Sequence, residues 1–176
     1  YYTYSKISAP VSHRAGILYV ATQDFNLFAV DAMTGETVWR FAAGFPIHCQ
    51  PVPFADEVLL TPEGGGLFSI GAGDGEVRWV NEAATRVVAV SQERIFAMDR
   101  NNQFLILHRA DGAIQGGWSS MDLHITAYNQ TSDRIYQATE RGLIVCLSEK
   151  GNVEPYIHDQ AVEAEPEPTP PANSAE

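Results

Sequence analysis

Residues 29–39 read Ala-Val-Asp-Ala-Met-Thr-Gly-Glu-Thr-Val-Trp, and eroded copies of the stretch end at Trp79, at Trp118 and near Tyr156. A period of about 40 residues constrains a chain more than any composition, because each period must be one supersecondary unit that cannot bury its apolar faces alone. Residues 16–39 align with 56–79 without a gap. Leu18 falls on Val58, Val20 on Leu60, Leu27-Phe28 on Leu67-Phe68, Gly35 on Gly75 and Trp39 on Trp79. The next step is 37 residues, which places Phe104-Leu105 on Leu67-Phe68 and Asp111-Gly112 on Asp74-Gly75. Trp118 then lies two residues late, so Gly116-Gly117 reads as a small insertion or bulge. In the fourth copy Arg134-Ile135-Tyr136 echoes Arg94-Ile95-Phe96, Lys150-Gly151 supplies the turn, and Tyr156 stands in for Trp.

Each copy divides into four short apolar segments. In the second these are residues 47–54, 57–61, 66–72 and 77–81, joined by Ala55-Asp56, Glu63-Gly64-Gly65 and Gly73-Asp74-Gly75, all with turn chemistry. Within the segments apolar residues alternate at the period of a strand, and no long stretch shows helical spacing. The expectation is an all-β chain, a β-propeller of about four four-stranded antiparallel blades at 8–43, 47–81, 86–120 and 124–157. Packing blade on blade covers both apolar faces of each sheet. Residues 159–176 differ: acidic and proline-rich, without apolar periodicity, they read as a disordered tail.

Charge excludes some partners. The net charge is −11, and five of the acids lie in residues 159–176, where no Lys or Arg occurs, so the body carries −6. Nucleic acid needs a basic stripe, and this body is acidic. No apolar run approaches the ~20 residues of a membrane-spanning helix, so no direct membrane insertion is expected. Cys49 and Cys146, far apart in sequence and in non-adjacent repeats, read as separate buried thiols, with a bridge between them as the less favoured alternative. The chain starts at Tyr1 without Met or a signal peptide. It is expected to be a processed or truncated piece of something longer.

The residues Ala29, Asp31, Thr34, Gly35 and Trp39 resemble the Trp-docking motif Ala-x-Asp-x-x-Thr-Gly-x-x-x-Trp of the PQQ-type (quinoprotein-like) propeller repeats. They match it at every defined position. Gly75 with Trp79, Gly112 with the displaced Trp118, and Gly151 keep parts of it. The resemblance covers about residues 8–157. It implies a propeller usually of seven or eight blades, so four blades suggest the C-terminal half of a larger one, or a half that pairs with another chain. If the chain stood alone, two apolar blade faces would be open and would favour a homodimer.

Two functions follow from the resemblance. One is a non-catalytic scaffold for protein–protein interaction, with no cofactor. It resembles the propeller lipoproteins of outer-membrane assembly, and implies the periplasm or cell envelope of a bacterium; the residues themselves leave the cytoplasm open. The alternative is a fragment of a PQQ-dependent alcohol or sugar dehydrogenase. Such enzymes use a vicinal cysteine pair, a calcium ion held by acidic and amide side chains, and a catalytic Asp at the propeller centre. No residue here matches those positions, and the two cysteines stand alone. Asp31 reads as a turn cap rather than a catalytic carboxylate. No histidine pair has metal-ligand spacing. His48, Gln50 and His124 precede or begin innermost strands and are the candidates to line the central channel.

Overall fold

The structure, a computed structural model, describes residues 5–119, 125–129 and 131–158. These residues form fifteen strands and no helix. The first sheet holds β1 (Ser12–Arg14), β2 (Ile17–Ala21), β3 (Asn26–Asp31) and β4 (Thr37–Ala42). The second holds β5 (Val52–Phe54), β6 (Glu57–Leu60), β7 (Leu67–Gly71) and β8 (Val77–Asn81). The third holds β9 (Arg86–Val90), β10 (Arg94–Met98), β11 (Phe104–His108) and β12 (Ile114–Trp118). The fourth holds β13 (Ile125–Ala127), β14 (Ile135–Ala138) and β15 (Ile144–Leu147). Strands lie in chain order within each sheet and every pairing is antiparallel. That is a propeller segment of four blades, the last with three strands among the described residues. The expected tail at 159–176 and His124 lie outside the described residues.

Three apolar clusters fill the three seams between successive blades. Tyr19, Leu27 and Trp39 of the first blade meet Val58, Leu60 and Ile70 of the second. Leu59, Leu67 and Trp79 of the second meet Val87, Ile95 and Leu107 of the third. Phe96, Met98 and Phe104 of the third meet Ile135, with Leu147 packed against them. Alternation along each strand therefore sends odd and even residues into different seams, as a two-faced sheet requires.

Four expectations need correction. The fourth copy does not end in an outer strand. Instead residues 156–158 turn inward: Ile157 bridges Ser132, and His158 N donates to Thr131 O at 2.9 Å. Tyr156 therefore sits beside Phe54, ring centroids 6.2 Å apart, and occupies no Trp position. Second, both thiols are free and exposed rather than buried. Third, the two outer blade faces are unequal. On the first blade Val20, Phe28 and Val30 face away from the first seam, yet are buried within the chain. On the fourth, Tyr136 and Ile144 face away from the third seam and are 40% and 74% exposed. The apolar face that is open lies on one side.

The fourth correction concerns Trp118. Blades one to three share a bulge that skips one residue of the outer strand. Ala29 pairs with Trp39 and Val30 with Thr37; Ser69 pairs with Trp79 and Ile70 with Val77; Ile106 pairs with Gly116 and Leu107 with Ile114. Gly116 thus occupies the Trp position, and nothing is inserted at 116–117. Trp118 is one step further along the same face, opposite Phe104, where its ring stacks at 4.5 Å and 7°. It corresponds to Phe41 and Asn81, not to the docking tryptophans.

Candidate functional site: the axial channel and the seams

The repeated motif builds a joint. Asp31 Oδ1 accepts the N–H of Met33 at 2.9 Å and of Thr34 at 2.7 Å, closing the turn, and Glu36 N donates to Thr34 Oγ1 at 3.2 Å. The Thr34 bond first, then that of Met33, holds the Asp31 carboxyl below the usual carboxylate range. The second and third blades reach the same turn with a different residue. Asp74 and Asp111 stand three positions later, at the place of Thr34, and accept from Glu76 N and Ala113 N, both at 3.0 Å. Gly71 sits where Asp31 would be, and Asp74 leans into that space: a Cβ on Gly71 would meet its carboxylate. Each turn then receives an indole from the preceding blade. Trp39 Nε1 donates to Ala72 O at 2.8 Å and its ring covers Gly75. Trp79 Nε1 donates to Arg109 O at 2.9 Å and its ring covers Gly112. Gly35 and Gly151 have φ of +74° and +98° but open space where a Cβ would go, so no indole rests on them.

A second feature was not legible in the sequence. Glu57, buried at the start of β6, accepts a hydrogen bond from Ser69 Oγ and pairs with Arg109 Nε of the third blade at 2.5 Å. Arg109 also donates to Gln92 O at 3.0 Å and to Asp56 Oδ1 at 3.1 Å, and its guanidinium lies 4.8 Å from the Phe54 ring centroid. Arg78 holds the other Asp56 oxygen at 2.8 Å, which with the nearby charge of Arg109 keeps the Asp56 carboxyl below its ordinary range. The network joins blades two and three. Its partners are 52 residues apart, and no spacing rule connects an acid after one inner strand with an arginine after a third strand.

The innermost strands β1 and β5 line an axial cavity of about 280 Å³ with Arg14, Gln50, Phe54, Tyr128 and His158 on its wall. Burial pushes the Tyr128 phenol well above its usual range. The inward-turning segment places His158 on this wall. Its His158 ring stands edge-on to Phe54 at 4.9 Å, His158 Nε2 lies 2.7 Å from Val90 O, and Arg14 Nη2 donates to His158 O at 3.2 Å. Of the channel candidates, Gln50 is on the wall, donating to Val11 O at 3.1 Å. His48 is not: its side chain is 64% exposed, 3.6 Å from Glu63 on the rim. His124 is among the residues not described.

A calcium-bound quinone at a propeller axis needs carboxylate and amide ligands, and the residues here do not fit it. Gln50 is the one amide on the described wall, no Asp or Glu lines it, and Cys49 and Cys146 belong to different blades. Among the described residues no three of His, Cys, Asp and Glu are grouped to hold a metal. Ser12, His13 and Thr131 complete the polar part of the wall.

Comparison with known proteins places this geometry. The family model described as outer membrane protein assembly factor BamB matches residues 5–116. The crystal structure of BamB from Moraxella catarrhalis superposes with a TM-score of 0.66 at 16% identity, over 84% of this chain and 48% of that one. The chain therefore spans about half the length of that relative. The computationally designed Ika4 protein matches with a TM-score of 0.63 at 11% identity, over 81% of this chain and 91% of that one. A quinohemoprotein alcohol dehydrogenase from Comamonas testosteroni matches at 0.52 and 14% identity, over 65% of this chain and 21% of that one. At such identities the likenesses show the fold alone. No curated protein matches by sequence.

Proposed function

Because this chain belongs to the family of outer membrane protein assembly factor BamB, we propose that it is a non-catalytic propeller segment that binds other proteins in the bacterial cell envelope. The observation that carries the reading is the state of the axis. The wall includes Arg14, Gln50, Phe54 and Tyr128 without a carboxylate, and the chain's own Tyr156 and His158 pack against Phe54. A propeller whose axis lacks such ligands still presents its rims and outer faces, and those are protein-sized surfaces. The exposed face of Tyr136 and Ile144 on the last blade supports the same reading, because it offers an apolar sheet face either to the remaining blades or to another chain.

The test is site-directed photocrosslinking in the envelope. A photoreactive residue at Ile144 or Tyr136 is expected to capture a discrete protein or the rest of the propeller, and one at Gln50 on the channel wall is not. Reconstitution with PQQ and calcium supplies the opposing experiment. A bound-quinone absorbance with dye reduction by alcohols would overturn the scaffold reading in favour of a dehydrogenase fragment.

A further inference from the structure

The third seam lacks what the first two contain. In blades one and two the residue opposite Ala29 or Ser69 is a tryptophan whose indole fills the space before the next blade. Opposite Ile106 stands Gly116. Where the indole would lie, there is a cavity of about 440 Å³ between the third and fourth blades. Its apolar walls are Phe96, Ile106 and Trp118 from the third blade and Ile135 and Leu147 from the fourth, and Arg94, Asp133, Ser148, Glu149 and Lys150 complete the lining. Phe96, Ile106 and Gly116 are one cross-strand row, the counterpart of Tyr19, Ala29 and Trp39 in the first blade.

The hydrogen-bond acceptor is also in place. Trp39 donates to Ala72 O and Trp79 to Arg109 O, in each case three residues before the turn glycine, Gly75 or Gly112. By strand register Leu147 is the counterpart of Ile70 and Leu107, so the matching carbonyl, two residues further on, is that of Glu149, which lines the cavity. The fourth blade's turn is one residue shorter, so Asn152 rather than Gly151 stands at the place of Gly75 and Gly112. The cavity therefore repeats the walls and the acceptor position of two sites that this chain fills with tryptophan.

We propose that the seam between blades three and four is a binding site for an indole ring supplied from outside these residues. A planar apolar ring fits between Ile106 and Leu147, and its single N–H points to the Glu149 carbonyl, so the class is a fused aromatic heterocycle with one donor. The ring comes either as a free small molecule or as a tryptophan side chain on a partner polypeptide. The inference is independent of the scaffold reading, since it rests on the seam and not on the axis or the open face.

Calorimetric titration of the 176-residue chain with free indole and with N-acetyltryptophanamide tests it. Saturable 1:1 binding of either supports the site: tighter binding of indole indicates the free ring, and tighter binding of the amide a peptide-borne one. Failure of both to saturate at millimolar concentration overturns it. Gly116→Trp should fill the cavity from within, because Gly116 has an ordinary φ and open space at its Cβ position. That variant is expected to lose binding by at least about tenfold, and unchanged affinity in a folded Gly116→Trp chain overturns the proposal. Photolabelling the unaltered chain with an azido-indole does not depend on the variant folding. Label on the peptides holding Ile106 or Leu147 supports the site, and label confined elsewhere refutes it.

Discussion

Replacing turn glycines by alanine separates what the backbone needs from what the docked indole needs. Gly35, Gly75 and Gly112 have φ of +74°, +74° and +70°, so alanine meets the same left-handed backbone penalty at each, about 1–2 kcal/mol. Their surroundings differ. At Gly35 a Cβ meets nothing within 4 Å, at Gly75 its nearest neighbour is Trp39 Cδ2 at 2.8 Å, and at Gly112 it is Trp79 Cε3 at 2.3 Å. Relieving the last contact moves the Trp79 ring outward, which strains the seam by a further ~1–3 kcal/mol and disturbs the bond to Arg109 O. The expected order of loss is Gly35→Ala, then Gly75→Ala, then Gly112→Ala, the last exceeding the first by about 2 kcal/mol. Urea unfolding of the four proteins measures it, with equal m values required for the comparison. In a Trp79→Ala background the excess cost of Gly112→Ala should vanish, as a double-mutant cycle would report. Equal losses at Gly35 and Gly112, within about 0.5 kcal/mol, would refute the claim that indole docking closes the seams.

Three further outcomes follow from the same structure. Trp39→Ala removes a buried indole and is expected to cost about 3–5 kcal/mol in urea unfolding; a loss below about 1 kcal/mol would mean that the ring is not a dock. Arg109→Ala leaves Glu57 buried without its partner and should cost about 3 kcal/mol, whereas Asp56→Asn, on an exposed pair, should cost no more than about 1 kcal/mol. The carboxyls of Asp31, Asp56 and Asp111 are all held below their ordinary range, by the Thr34 N–H, the Arg78 guanidinium and the Ala113 N–H first in each case. Groups depressed on folding contribute stability that is present above the unfolded value near pH 3.9 and is lost as pH falls through the lower folded values. The urea midpoint should therefore drop on acidification below about pH 4, less steeply in Asp31→Asn, and an unchanged midpoint down to pH 3 would contradict it.

The all-β class, the blade count and the turn chemistry of Asp31, Thr34 and Gly35 were legible in the residues, because each depends on neighbours within one repeat. Alternation reports which residues share a face, and the glycines report where the chain must adopt positive φ. Strict 37-residue spacing even put Gly116 on Trp79, but the nearest indole, Trp118, drew the assignment two residues away. Tertiary structure decided the rest. The shared bulge shows Gly116 to be the docking position and leaves a cavity beside it. Glu57 finds Arg109 across a seam, and residues 156–158 turn inward to the axis rather than outward to a fourth strand. His48 lies on the rim, and both cysteines face solvent. Those outcomes depend on which blade lies against which and on what each seam has room for. Local sequence records the repeat that builds a blade; contacts between residues 30 to 144 apart, which only the packed chain brings together, determine what each seam and the axis contain.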